Sequence, residues 1–407
     1  MTDIKNLQSW NLVALGNKKL FNLIMGQSPP SDTYNDDSIG LPFLQGNADF
    51  GDIHPKIMKY CSKPQKIAEI GDILISVRAP VGELNIANEK SCIGRGLAAI
   101  NVLDVKLGRY LYYYLKIKKS EFDRISAGST FKAITKSDLE KFEIAVPSPY
   151  EYERIGNILT TVDEAIQKSK AVFAETERLK EGTMRKLLTN GVGHTEFKEN
   201  EKLGFIPKNW EEGTFADIAD INPKTDISFL SDDSDITFLP MPNVGENGDI
   251  IKYETRTYAE VKTGYTCFAE RDVLFAKITP CMENGKGAVA INLVNKIGFG
   301  STEFHVLRAK ENADPYFIFY LSKESLFRKN AQRYFTGSAG QQRVSKDIFT
   351  SYTIPIIPRK EQTQIVNILS TIDHKLSLQH QRTAALERLK NGLMNDLITS
   401  KRSVVIE

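Results

Sequence analysis

The chain has 407 residues, 41% of them hydrophobic and 26% charged, and a net charge of +2. That length exceeds one ordinary core and predicts two globular units, while no apolar run approaches the ~20 residues needed to span a bilayer. A balance of +2 permits nucleic-acid binding but falls short of a protein that coats DNA. Four scattered cysteines (Cys61, Cys92, Cys267, Cys281) with no C-x-x-C pair argue for reduced, buried thiols in a cytoplasmic protein, against a disulfide framework or a zinc site.

Along the chain, Met1 to Trp10 is polar and lacks the basic-then-apolar pattern of a signal peptide. GDILISV, from Gly71, is a short β-rich run, and RYLYYYLKI, from Arg109, is an amphipathic helix suited to pack on such a sheet. A long helix begins at Ser148, where the serine caps, Pro149 suits the first helical position and Glu151 completes a capping box. Ile155, Leu159, Val162, Ile166 and Phe173, then Leu179 and Leu187, follow at three-four spacing on one stripe. Gly191 to Trp210 is polar and turn-rich. RDVLFAKI, from Arg271, and PYFIFYLSKESLFRKNAQRYF, from Pro315, repeat the strand-then-helix order. After Pro358 a second stripe runs through Ile365, Leu369, Ile372, Leu376, Leu386, Leu389 and Leu397.

These elements give a globular part over 1–148, a helix over 149–190, a linker over 191–209, a second globular part over 210–357 and a second helix over 358–400. The fold class is α+β, with mixed sheet plus helices in each globular part. A rod of roughly 40 residues is about 60 Å long, and one narrow stripe per rod predicts that the two pair as an antiparallel coiled coil. Gly182 and Gly392 fall at equivalent places. Either they let two backbones approach, or they merely weaken their helices.

The chain repeats itself. Its two tryptophans, Trp10 and Trp210, are 200 apart, and Asp72, Leu74 and Pro80 recur as Asp272, Leu274 and Pro280. Further on the offset is 210: Asn157, Ile158, Leu159, Thr161 and Asp163 recur as Asn367, Ile368, Leu369, Thr371 and Asp373. Ala174, Glu177, Arg178, Leu179, Lys180, Gly182, Met184, Leu187 and Thr189 recur as Ala384, Glu387, Arg388, Leu389, Lys390, Gly392, Met394, Leu397 and Thr399. So many identities on one offset mean a tandem duplication of domains. Identity is dense in the helices and thin elsewhere, so the copies share a scaffold and differ in what they present.

No catalytic pattern accompanies the repeat. The histidines (His54, His194, His305, His374, His380) have no metal-binding spacing, and there is no G-x-x-x-x-G-K phosphate loop. The short glycine pairs at Gly94–Gly96 and Gly285–Gly287 lack the context of a dinucleotide site. Asp314-Pro315-Tyr316-Phe317 lacks the second proline of the (D/N)PP(Y/F) motif of amino-methyltransferases, and no glycine-rich S-adenosylmethionine loop goes with it. The residues point to a binding protein.

Several long segments resemble the specificity subunits of type I restriction–modification enzymes. GDILISVRAPVGELNIANEKSCIGRGLAAI (Gly71 to Ile100), GSTFKAITKSDLEKFEIAVP (Gly128 to Pro147) and GFGSTEFHVLR (Gly298 to Arg308) carry the likeness. So do TGSAGQQRVSKDIF (Thr336 to Phe349), the Glu361-Gln362 pair, GQSPPSDTYN (Gly26 to Asn35) and LPFLQGNADFG (Leu41 to Gly51). Tyr150-Glu151-Tyr152-Glu153 departs from the E-Q pair usual at the first helix entry. The resemblance implies two target-recognition domains, each reading one part of a split double-stranded DNA sequence. It implies that the paired helices set the gap and dock two methyltransferase subunits. S-adenosylmethionine, ATP and Mg are then expected on those partners and on the restriction/motor subunits, with no cofactor and no metal on this chain.

Under that reading, base and phosphate contacts call for Arg, Lys, Gln and hydroxyl side chains. The candidates are Arg78, Arg95, Ser129, Thr130 and Lys132 in the first half, and Lys277, Gln341, Gln342 and Arg343 in the second. Gln27, Tyr34 and Asn35 are weaker, since turn chemistry alone explains them. The subunit and helix-pairing set is Ile155, Leu159, Val162, Ile166, Leu179, Gly182, Ile365, Leu369, Ile372, Leu376, Leu389 and Gly392. Two other readings stay open: a non-catalytic coiled-coil scaffold with two protein-binding modules, and a stand-alone hydrolase using Cys281 or His305.

Overall fold

A computed structural model of the chain describes residues 10–126, 133–338 and 341–399. It divides into two compact units, one made of 1–171 with 380–407 and the other of 172–379. Each unit therefore takes a globular part, a stretch of the helix that follows it, and a stretch of the other long helix.

In the first unit an antiparallel four-stranded sheet runs in the order Phe21–Met25, Leu97–Val102, Ile73–Ser76, Leu84–Ile86. A second, mixed sheet has Leu41–Leu44 parallel to Ser91–Ile93 at its centre. The helix Val105–Ile117, capped by Asp104, lays Leu107, Tyr110, Leu111 and Leu115 on the first sheet. The same core takes in Ile155 and Leu159 from the start of the first long helix and Met394, Leu397 and Ile398 from the end of the second. Burying those ends on the sheet supplies a stability that a narrow helical stripe cannot supply alone.

The second unit repeats the plan. Its four-stranded sheet has the order Ala219–Ile221, Phe304–Ala309, Val273–Ala276, Gly287–Val289, and Asp235–Leu239 lies parallel to Ile297–Gly300 in the mixed sheet. The helices Pro315–Lys323 and Ser325–Ala331 cover the sheet, and Met184, Leu187, Leu188, Ile365 and Leu369 of the long helices complete the core. The X-Pro bonds Ala79-Pro80 and Thr279-Pro280 are both cis, at the 200-residue offset. The polar stretch after Asn190 is a hairpin, Phe197–Asn200 with Gly204–Pro207.

The long helices span Pro149–Asn190 and Arg359–Ile398. Ser148 and Glu151 form the capping box: the Glu151 N–H donates to Ser148 Oγ at 3.4 Å and the Ser148 N–H to Glu151 Oε2 at 3.1 Å. Within the first unit the helices run antiparallel, with Ser169 Oγ 2.7 Å from Thr383 Oγ1 and Lys170 bridging to Glu387 at 3.4 Å. Of the pairing set, Ile155, Leu159, Ile166, Ile365 and Leu369 are buried, while Val162, Ile372 and Leu376 are half-buried.

Four of the expected pairing residues are elsewhere. Leu179 is 58% exposed and Leu389 51% exposed. A Cβ added at Gly182 or Gly392 would meet nothing within 4 Å, so neither glycine serves a close backbone approach. The inner stripe runs instead through Asp163, Ile166, Ser169, Phe173, Thr176 and Lys180, several of them polar but buried or half-buried. Leu179 lies one position, about 100°, off that stripe.

The departure at the first helix entry also has a structural account. In the second unit Glu361 accepts from Trp210 Nε1, the Val192 N–H and His194, and Gln362 holds the Asp314 N–H and the carbonyls of Asn312 and Ile357. At the first entry Tyr152 stands in the place of Gln362, and its hydroxyl donates to Asp104, the N-cap counterpart of Asp314.

Candidate nucleic-acid interface

In the first unit the chain crosses one edge of the sheets four times. The Val77 N–H donates to Gly96 O and the Ile134 N–H to Val77 O, both at 2.9 Å, while Gly26 N–H reaches Leu97 O and Gln27 N–H reaches Ile93 O. Glycine is required at these crossings. A Cβ on Gly26 would lie 2.2 Å from Gly94 O, and one on Gly96 would lie 2.5 Å from Gln45 O. Arg95, between Gly94 and Gly96, is exposed, with its N–H held at 3.2 Å by Ser28 Oγ. Arg78, also exposed, follows the strand Ile73–Ser76 and bridges to Ala133.

The structure thus brings the Arg78 and Arg95 turns together, and among the described residues neither guanidinium has a carboxylate partner. Ser129, Thr130 and Lys132 lie outside the described residues. Gln27 is exposed; the Tyr34 hydroxyl donates to Pro29 O and the ring stacks on Phe43, while the Asn35 amide is spent on Ile39. Gln45 was not singled out from sequence. It is exposed and beside Gly96, and only the glycine contact could have flagged it.

The corresponding edge of the second unit is built from different residues. The Val344 N–H donates to Lys277 O and the Thr279 N–H to Gln342 O, both at 2.9 Å, and the Gln342 N–H reaches Thr279 Oγ1. Lys277, Gln341, Gln342 and Arg343 therefore do converge. Arg343, though, is no free cation: Glu303 grips its guanidinium through Nε and Nη2 at 2.8–3.1 Å. That grip holds the Arg343 pKa above its ordinary value. It leaves Gln341, which is exposed, and Gln342, which is half-buried, with free side-chain amides among the described residues. Glu303, a carboxylate that can accept from a cytosine amino group, was missed because it lies 40 residues from its partner.

A hydrolytic centre finds no support at His305. The ring is buried, its two nitrogens are taken by Val344 O at 2.8 Å and Asn222 at 3.1 Å, and burial pushes its pKa down. It staples one strand to the Arg343–Val344 strand. Among the described residues no group of three His, Cys, Asp or Glu is placed to hold a metal, and no helix is long and apolar enough to cross a membrane.

Comparison with known proteins agrees with this duplicated frame. The model of the type I restriction modification DNA specificity domain matches residues 9–175 and again 207–388. The chain is 45% identical over 186 residues to the Methanocaldococcus jannaschii protein named for the type I restriction enzyme MjaX specificity subunit, covering 46% of this chain and 44% of that one. It is 38% identical over 207 residues to the type I restriction enzyme EcoAI specificity subunit of Escherichia coli, covering 50% and 34%. The matched stretches thus span less than half the length of these two relatives. The solved type I restriction–modification S subunit from M. genitalium shares the fold, with a TM-score of 0.60 at 15% identity over 97% of this chain and 98% of that one. With the domain matched twice and the duplicated frame in place, the chain belongs to the family of type I restriction–modification DNA specificity domains.

Proposed function

We propose that this chain is the non-catalytic, DNA-reading subunit of a cytoplasmic type I restriction–modification complex, each globular half recognising one part of a split double-stranded target. The observation that carries the reading is the pair of edges at equivalent places on one repeated frame, furnished differently. Arg78 and Arg95 stand on one, and Lys277, Gln341, Gln342 and the Arg343–Glu303 pair on the other. Arginine favours guanine, glutamine favours adenine, and the same groups reach phosphates. A split asymmetric target needs two unlike readers.

The long helices support the second half of the proposal, that two methyltransferase subunits dock on them. Glu177, Arg178, Leu179 and Gly182 are exposed, yet all recur as Glu387, Arg388, Leu389 and Gly392, which are exposed as well. Other exposed positions on these turns have drifted, as Glu181 against Asn391 and Arg185 against Asn395 show. An exposed face of the same charged, apolar and small residues, kept twice, fits two copies of one partner. S-adenosylmethionine, ATP and Mg belong on the methyltransferase and restriction/motor partners in this account.

The test is co-expression with the neighbouring methyltransferase gene in a methylation-free host, followed by mapping of every methylated adenine. One split motif of fixed gap, absent when the chain is omitted, supports the reading. Methylation that ignores the chain overturns it.

A further inference from the structure

Each unit contains a buried or half-buried ion pair that joins three chain elements. In the first unit Tyr113, on the sheet-packed helix Val105–Ile117, donates to Asp163 Oδ2 at 2.8 Å, and Lys390 Nζ lies 2.5 Å from Asp163 Oδ1. In the second, Tyr320, on the helix Pro315–Lys323, donates to Asp373 Oδ2 at 2.7 Å, and Lys180 Nζ lies 2.5 Å from Asp373 Oδ1. One long helix supplies the aspartate and the other the lysine, with the roles exchanged between units.

These charges are not surface ornament. The side chains of Asp163 and Lys390 are 6% and 12% exposed, and those of Asp373 and Lys180 are 27% and 14% exposed. A second lysine, Lys116 or Lys323, stands three residues after each tyrosine, and burial lowers both of their pKa values. A helix slipped by one turn would take Lys390 and Lys180 from their aspartates and leave each ammonium in the seam without its counter-ion, a costly arrangement away from water. Polar residues at a buried helix seam select one register in this way at some cost in stability. The tyrosine extends the selection to the globular half, because its buried hydroxyl donates to that aspartate and a slipped helix would break the bond.

We infer that the two Tyr–Asp–Lys junctions are positioning residues that lock the helix register and seat each recognition domain on it, so holding the gap in the split target to one length. The inference rests on the DNA-reading function above. A slip of one turn moves a helix about 5.4 Å, or one to two base pairs of DNA at roughly 3.4 Å each.

The test is methylome mapping, with the methyltransferase partner, of wild type, of the double variant Lys180→Gln with Lys390→Gln, and of the milder double variant Tyr113→Phe with Tyr320→Phe. The expected result is unchanged half-site sequences with one gap in wild type, and added gaps one or two base pairs away in both variants. A folded glutamine variant that keeps one gap overturns the inference. If that variant does not fold, the phenylalanine variant decides, since a single gap kept there counts against a lock made by these junctions. Absence of any split motif in wild type would instead reject the DNA-reading function, a distinct failure.

Discussion

Glu361 is the residue whose loss the structure prices most sharply. Its carboxylate, third in the second long helix, accepts from Trp210 Nε1 at 3.0 Å, the Val192 N–H at 2.9 Å and His194 Nε2 at 2.8 Å. In Glu361→Ala the fully buried Trp210 N–H has no water to turn to, which costs about 1–3 kcal/mol. Val192 and His194 are half-buried and recover part of their loss through solvent, adding about 1 kcal/mol. The negative charge also leaves a helix N-terminus, worth about 0.5 kcal/mol. The total is about 3–4 kcal/mol, which lowers the melting temperature of a unit near 200 residues by about 10 °C. Among the described residues Glu151, the counterpart at the first entry, serves its capping box with Ser148 alone, so Glu151→Ala should cost about 1 kcal/mol. Thermal unfolding followed by circular dichroism measures both, and tryptophan emission in a Trp10→Phe background reports Trp210. Equal, small losses in the two variants would refute the hub assigned to Glu361.

Other consequences are as specific. Lys323 is pushed down to about 7 by burial, with Arg328 and Lys180 beside it adding to the shift. The folded state therefore favours the neutral amine, and stability is lost as pH falls from the unfolded value near ~10.4 toward 7, at most about 1.4 kcal/mol per pH unit. Chemical denaturation at pH 7 to 10 should show that slope in wild type and not in Lys323→Met; parallel slopes would contradict it. Leu179→Glu with Leu389→Glu changes only exposed positions, so melting should be unchanged while pull-down of the methyltransferase falls at least tenfold. Full retention would remove the docking face. Inserting four residues near Ala171, with four opposite in the second helix, adds about 6 Å. The methylated motif should widen by one or two base pairs with its half-sites intact, and an unchanged gap would count against the helices as the ruler.

Much of the frame was legible from residues because it rests on local chemistry. Ser148, Pro149 and Glu151 announced a helix start that the capping box realises. The duplication announced two like folds, and the strand orders agree. The helix seam was misjudged at Leu179 and Leu389 because hydrophobicity was the guide. The seam there is polar, and Lys180 and Lys390 are satisfied by aspartates on the other helix. Such pairing depends on residues about 200 positions away, and no local pattern encodes it. The reading edges were partly legible: glycines flanking Arg95 marked a close crossing, and Gln341-Gln342-Arg343 marked a loop. That Glu303 holds Arg343 is a tertiary fact.

The most direct test of two independent readers on one frame exchanges residues 10–146 for the matching segment of a relative with a different target, leaving both long helices intact. Adenine methylation is then mapped genome-wide with the same methyltransferase partner. The account predicts a new motif in which one half-site changes while the other half-site and the gap remain. A motif changed in both halves, or in neither, would contradict it.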